Sequence, residues 1–144
     1  MVACSVLLKK SILDEKLIYE INDSKKVSLQ KRILLSNFIK KHSVYNIGVS
    51  KAEEVDSLNV KKATQLAMVR SFLPFKSINK NVKVDGSDFF FLNEKTEFII
   101  KGDQKSLSIA SASILAKVFR DEEMKKLSLV YKYYDWENNM GCLL

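Results

Sequence analysis

The stretch that decides the fold is residues 106–121, which read SLSIASASILAKVFRD. Apolar and small side chains recur there at helical spacing, so we expect a helix from about Ser106 to Leu127. The small residues of Ser108–Ser113 would let this helix approach a sheet closely. Asp121 lies on the same helix face as Val118 and ends the apolar stripe. A buried face that ends in a carboxylate needs a cationic side chain or a metal ion beside it.

Two interpretations of Asp121 remain open at this point. Arg120 or Lys117 could neutralise it in an ion pair. Alternatively, it could meet Asp85, which directly follows a short strand expected at Val82–Val84. Asp85 is itself ambiguous, since an Asp-Gly pair often only forms a turn. Two aspartates that converge from a strand tip and a helix face would suit Mg²⁺, which prefers oxygen ligands.

The other elements follow from apolar spacing and capping residues. In chain order the sequence predicts a strand at Val2–Leu8, a helix capped by Ser28 and ending near Lys41, a strand at Val44–Val49, a short helix opened by a Ser50–Glu53 capping box, a longer helix capped by Asn59, and strands at Val82–Val84 and Phe98–Ile100. Strands that alternate with helices indicate an α/β domain with a mixed sheet. No Gly/Ser linker and no repeat interrupts residues 1–144, so we expect one domain.

The charge of the chain favours a phosphate-bearing partner without proving one. Its net charge is +7, and residues 1–50 carry nine Lys or Arg against four Asp or Glu. Excess positive charge attracts nucleic acid, although a solvated lysine-rich surface would look the same. No apolar run approaches the roughly 20 residues of a membrane-spanning helix. The first residues lack the basic region of a signal peptide, so we expect a cytoplasmic protein. We also expect it to be a monomer.

Two loops carry groups that suit phosphate. Lys101–Ser106 brings lysines and backbone amides to a helix start, where anions are favoured. Asn22–Lys26 offers a second set of hydrogen-bond donors beside positive charge. Each loop is a weak signal alone, because polar loops before helices are common.

Taken in order, these segments resemble the ribonuclease HII family. The matching pieces are Asn22–Ser28, Glu54–Val60, Val84–Gly86, Lys101–Asp103 and Ile109–Asp121. The resemblance implies a ribonuclease H-like fold, in which helices flank a mixed central sheet. It also implies an endonuclease that cuts the RNA strand of RNA–DNA hybrids and acts on duplex DNA with embedded ribonucleotides. Family members use four carboxylates to hold two Mg²⁺ or Mn²⁺ ions, which activate water and stabilise the displacement at phosphorus.

The resemblance also assigns roles to single residues of this sequence. Asp85 and Asp121 match the third and fourth carboxylates, and would be catalytic metal ligands. The expected substrate-binding residues are those of the phosphate-contacting loop and of the loop beside the metals, namely Asn22, Asp23, Ser24, Lys25, Lys101 and Asp103.

The sequence departs from the family pattern in two places. The family opens with a strand and an Asp-Glu-x-Gly-Arg-Gly motif that supplies the first two carboxylates, and no Gly-Arg-Gly occurs here. Near the other end, Met140 and Cys142 replace a lysine and a tyrosine. We therefore expect an incomplete domain without its first strand, with an unpaired neighbouring strand and with little or no hydrolytic activity. The alternative is a non-catalytic remnant that binds nucleic acid through its lysines.

Overall fold

The computed structural model describes residues 1–22, 27–87 and 90–131. The strands in these ranges are β1 (Val2–Leu8), β2 (Ser43–Val49), β3 (Val82–Asp85) and β4 (Thr96–Ile99), and the long helices are α1 (Leu29–Lys41), α2 (Ala52–Phe72) and α3 (Leu107–Val130). Short 3-10 helices occur at Lys10–Asp14, Lys16–Glu20, Leu73–Phe75 and Gly102–Gln104. The α/β class predicted from the sequence is confirmed.

The strands form two separate two-stranded ladders, one antiparallel and one parallel. β1 and β2 are antiparallel, and their register sets Val2 opposite Val49. β3 and β4 are parallel, with Asp85 opposite Ile99. Within the described residues β1 and β3 are not hydrogen-bonded to each other, so strands of both directions are present but no continuous central sheet is formed.

The main core lies between β1, α1 and α3. Its most buried large side chains are Ile12, Leu35, Ile39, Ile114 and Leu115, each at most 2% exposed. Burying one such side chain stabilises the fold by about 1.5–3 kcal/mol. The apolar stripe predicted for residues 106–121 is therefore the side of α3 that packs on β1 and α1.

Helix α2 lies against β1 and β2 at unusually short range. A Cβ on Gly48 would lie only 2.0 Å from the carbonyl oxygen of Ala67 and 2.5 Å from the backbone nitrogen of Ser71. The side chain of Ser71 also shares a 2.8 Å hydrogen bond with the hydroxyl of Ser5 on β1. Glycine at position 48 thus permits backbone to approach backbone.

The two helices expected after β2 are joined into one kinked helix. Asn59 lies inside α2 with φ 68° and ψ 164°, which is not helical. Its Oδ1 accepts a hydrogen bond from the backbone N–H of Lys62 at 3.1 Å, so Asn59 caps the second half of α2 as predicted.

The capping box predicted at Ser50 and Glu53 is wrong by one residue. Helix α2 is capped by Lys51, whose N–H donates to the carboxylate of Glu54 at 2.8 Å. The hydroxyl of Ser50 is buried and donates to the carbonyl of Ala63 at 2.9 Å. Burial against α2 therefore decides the role of Ser50.

None of the described helices is long and apolar enough to cross a bilayer.

Candidate active site

Asp85 is held at the end of β3 by the backbone of a neighbouring loop. Its Oδ1 accepts a hydrogen bond from the N–H of Gly102 at 2.8 Å. β4 runs parallel to β3 and ends level with Asp85, so the loop after β4 comes back to the same edge. A Cβ on Gly102 would lie 3.3 Å from that oxygen and 2.5 Å from Cδ1 of Ile109. A side chain at position 102 would thus disturb the contact that orients the carboxylate.

The residues on either side of Gly102 share this location. Lys101 adopts the left-handed conformation, with φ 55° and ψ 46°, and Asp103 lies in the 3-10 turn that follows. The N–H groups of Lys105 and Ser106 both donate to the carbonyl of Gly102, which ties the turn to the start of α3. Left-handed backbone in a residue other than glycine costs about 1–3 kcal/mol and persists where the surroundings enforce it, often at functional sites.

Asp121 has two cationic partners. It is only 4% exposed, and its oxygens lie 3.1 Å from Nη1 of Arg32 and 2.6 Å from Nζ of Lys117. Arg32 also donates to the carbonyl of Val27 at 2.9 Å, which fixes the guanidinium. The ion-pair interpretation of Asp121 is therefore the one that the structure supports. Lys117 was foreseen as its partner, whereas Arg32 was missed because it lies 89 positions earlier and no local pattern links the two.

The structure does not bring Asp121 to Asp85, which corrects the expectation that they converge. Gly102 touches both Asp85 and Ile109, close to the first turn of α3. Asp121 lies twelve residues after Ile109 on the same helix, which is about 18 Å along its axis. Sharing one face of a long helix does not bring two residues to the same end of it.

The carboxylates of the described residues do not complete a metal site. No group of three or more His, Cys, Asp or Glu side chains in residues 1–22, 27–87 and 90–131 could hold a metal ion. Asp85, with Asp103 next to its anchoring glycine, supplies two carboxylates at most. We therefore derive no catalytic step through a metal from these residues.

An apolar recess of about 380 Å³ adjoins Asp85. Its walls come from α2 and from two phenylalanines, Phe90 and Phe98, whose ring centroids are 5.5 Å apart. Lys61 lies at the same recess. Phe98 had been predicted only as a strand residue, and its place beside Asp85 carries no signature in the sequence.

The other predicted site residues divide into two groups. Asn22 is exposed just after the second 3-10 helix. Asp23, Ser24 and Lys25 lie outside the described residues, as do the two departures at Met140 and Cys142.

Comparison with known proteins gives a consistent result for sequence and fold. The sequence model of the family described as Ribonuclease HII matches residues 1–142. A Ribonuclease HII of Pelagibacter ubique is 42% identical over 96% of this chain and 73% of its own. Those of Clostridium beijerinckii and Staphylococcus carnosus are 42% and 41% identical over 97% of this chain. The chain spans about half the length of these last two relatives, 52% in each case.

A solved structure has the same fold. It is the PCNA:RNase HII complex from Archaeoglobus fulgidus, which matches with a TM-score of 0.73 and 22% sequence identity. The match covers 90% of this chain and 69% of that one.

Proposed function

Because the chain belongs to the ribonuclease HII family of endoribonucleases, we propose that its substrates are RNA–DNA hybrids and duplex DNA with embedded ribonucleotides. We also propose that Asp85 and Asp103 form the acidic part of its active site. One observation carries this assignment, the hydrogen bond from the Gly102 N–H to Asp85, which holds the Lys101–Asp103 turn beside the end of β3.

Mg²⁺ or Mn²⁺ is the proposed cofactor, because carboxylate oxygens are the ligands that these ions prefer. When bound, such ions activate water and stabilise charge at phosphorus. Two carboxylates are a small donor set for a pair of divalent ions. We therefore propose that the 144-residue chain by itself hydrolyses its substrate very weakly.

The residues around Asp85 have separate tasks in this proposal. Gly102 orients the carboxylate through its N–H and leaves space for it. Lys101 and Lys105 are exposed and flank the turn, where they would contact substrate phosphates. Asp121 takes no part in the chemistry and holds α1 to α3 through Arg32.

Binding of Mn²⁺ tests the assignment without requiring activity. We expect titration followed by electron paramagnetic resonance to detect a weak Mn²⁺ site in the chain, weakened about tenfold or more by Asp85→Asn and by Asp103→Asn. Asp121→Asn is the matched control, since it removes the same charge at a position about 18 Å along α3 from Ile109. It should leave the Mn²⁺ affinity per folded molecule unchanged. If Asp121→Asn abolishes binding while Asp103→Asn does not, the assignment is wrong.

A cleavage assay tests the proposed weak activity. A hybrid duplex labelled on its RNA strand is incubated with the chain and either ion, and Asp85→Asn serves as the blank. We expect product close to the blank. Rapid cleavage that depends on Asp85 would overturn the proposal that the described donor set is insufficient.

Binding of nucleic acid without hydrolysis is the second candidate function, and the net charge of +7 favours it. This function requires weak binding that decreases as salt rises and that does not distinguish ribose from deoxyribose. In a gel-shift titration, hybrid and DNA duplexes of one sequence should then bind equally. A clear preference for the hybrid would favour the enzyme interpretation instead.

A further inference from the structure

The apolar recess beside Asp85 has the size of a small-ligand site. Its volume of about 380 Å³ lies near the lower end of the range for such pockets, which runs from about 300 to 1,000 Å³. One wall comes from α2 and another from Phe90 and Phe98. A recess of this size can take a small molecule or a single group of a larger one, and the chemistry of its lining decides which.

The two phenylalanines give the recess flat apolar surfaces. The ring centroids of Phe90 and Phe98 are 5.5 Å apart, with 59° between the ring planes, and both side chains are half-buried. Met68 adds a polarizable thioether from α2. Aromatic groups pack on such rings edge-to-face or with an offset, and they also make favourable contacts with sulfur. The apolar part of the lining therefore favours a flat aromatic ligand.

Three polar side chains line the same recess, namely Asp85, Lys61 and Gln65. Within the described ranges the carboxylate of Asp85 accepts one hydrogen bond, from the Gly102 N–H to Oδ1, so acceptor positions are left over. The amide of half-buried Gln65 makes no hydrogen bond to any residue of those ranges. A carboxylate only accepts hydrogen bonds, an ammonium only donates them, and an amide does both. A matching ligand therefore carries N–H donors on one edge and acceptors on another.

Nucleobases combine these features. A base is flat, stacks on aromatic side chains, and carries donors and acceptors around its rim. Guanine presents its amino group and a ring N–H side by side, and one carboxylate can accept from both. Its O6 and N7 are acceptors that suit the donors of Lys61 and Gln65. Uracil presents a single N–H between two carbonyl groups, which a carboxylate repels.

We propose that this recess binds a nucleobase with an exocyclic amino group, guanine best of all, with its ring against Phe98 and its amino group on Asp85. The base can come from a free nucleotide or from an unpaired nucleotide of a strand, since both offer the same ring and the same edge. Binding of the base does not depend on the proposed function. One consequence does rest on it: because Asp85 is also the proposed metal ligand, a bound base should lower the affinity for Mn²⁺.

An NMR titration of the folded chain tests the proposal with no metal present. The ligands are the four ribonucleoside monophosphates, whose shared sugar and phosphate cancel in the comparison. We expect the guanine nucleotide to shift the signals of Met68 and Phe98, and to bind about tenfold more tightly than the uracil nucleotide. Phe98→Leu should weaken its binding about tenfold, because the stacking surface is lost. Phe91→Leu is the matched control and should change nothing, since Phe91 is 80% exposed and does not line the recess.

Asp85→Asn distinguishes a base-specific site from a general apolar one. Asparagine still accepts the hydrogen bond from Gly102 through its side-chain carbonyl, but its amide both donates and accepts. The variant should therefore lose the preference for guanine over uracil. Thermal unfolding checks that each variant folds, and if Phe98→Leu does not, the preference at position 85 decides. The proposal is overturned if the guanine nucleotide does not bind, if all four bind equally, or if Phe91→Leu weakens binding as much as Phe98→Leu.

A competition experiment identifies the source of the base. A DNA duplex with one unpaired guanine is added to the chain with the guanine nucleotide bound, and the fully paired duplex is the control. Displacement by the unpaired guanine alone supports a base of a strand, whereas no displacement by either duplex supports a free nucleotide. Equal displacement by both would mean that the nucleotide is held by its phosphate, which overturns the proposal. The proposed function would survive that failure, since its own test measures Mn²⁺ binding.

Discussion

Asp121 illustrates how one buried carboxylate can join two helices. It accepts from Arg32 of α1 and from Lys117 one turn earlier on α3. Asp121→Asn removes the charge but keeps the shape, so the guanidinium of Arg32, whose side chain is 11% exposed, loses this carboxylate partner. Breaking a buried pair on one side costs about 3–5 kcal/mol.

We therefore expect Asp121→Asn to lower the free energy of unfolding by about 3 kcal/mol in urea denaturation. Lys117→Gln should cost less than about 1 kcal/mol, because that lysine is more exposed. An Asp121→Asn variant as stable as the parent chain would show that the ion pair does not hold α1 to α3.

A second ion pair should make stability depend on pH. Arg70 donates to both oxygens of Glu54 at 2.6 and 2.7 Å, and this pairing, helped by the N–H of Lys51, lowers the pKa of Glu54 from 4.5 to about 2. A carboxyl whose pKa is lower in the folded state stabilises the fold above its unfolded pKa and loses that effect as it is protonated.

The stability advantage of the parent chain over Glu54→Gln should therefore be full at pH 7 and vanish as the pH falls from about 4.5 towards 2. Thermal unfolding at several pH values measures it. Because the pair is partly exposed, added salt should shrink the difference. If the stability difference between the parent chain and Glu54→Gln grows as the pH falls, the Glu54–Arg70 ion pair is not its cause.

At the scale of elements, the sequence best predicted the features that arise within a single strand, helix or turn. Apolar spacing predicted β1, α1, β2 and α3, because each must turn one set of side chains to the core. Asn59 was identified as a cap, since its side chain bonds within its own turn.

Contacts between elements were not predictable in the same way. The role of Ser50 depends on α2 packing over it, and the partner of Asp121 comes from α1. The expected meeting of Asp85 with Asp121 failed because periodicity reports the face of a helix but not which end lies near a given strand. The Lys101–Asp103 turn was found as a motif, but only the structure ties its glycine to Asp85.

The contact between α2 and β2 provides a test of packing. A methyl group on Gly48 would overlap the backbone of α2, where Ala67 and Ser71 cannot rotate away. Gly48→Ala should lower the free energy of unfolding by about 1–3 kcal/mol or prevent folding. Gly86→Ala is the control, since its Cβ would meet nothing within 4 Å and only its φ of 119° opposes it. A larger loss for Gly86→Ala would show that the helix can withdraw from the sheet.

Across the whole molecule, the distribution of positive charge determines how binding should respond to salt. Lysines that neutralise phosphates release counterions, and each contributes about 0.9 to the slope of log affinity against log salt. Lys101 and Lys105 flank the turn beside Asp85, whereas Lys10 and Lys125 are exposed elsewhere, in a 3-10 helix and in the last turns of α3.

Replacing Lys101 and Lys105 by glutamine should therefore reduce the slope by nearly two units. Replacing Lys10 and Lys125 removes the same net charge, but should leave the slope nearly unchanged and lower the affinity only slightly. Fluorescence anisotropy of a labelled duplex between 50 and 200 mM salt separates the two cases. If the slope falls equally in both double variants, binding depends on the total charge of the chain. The phosphates of the bound duplex would then not contact the Lys101–Asp103 turn.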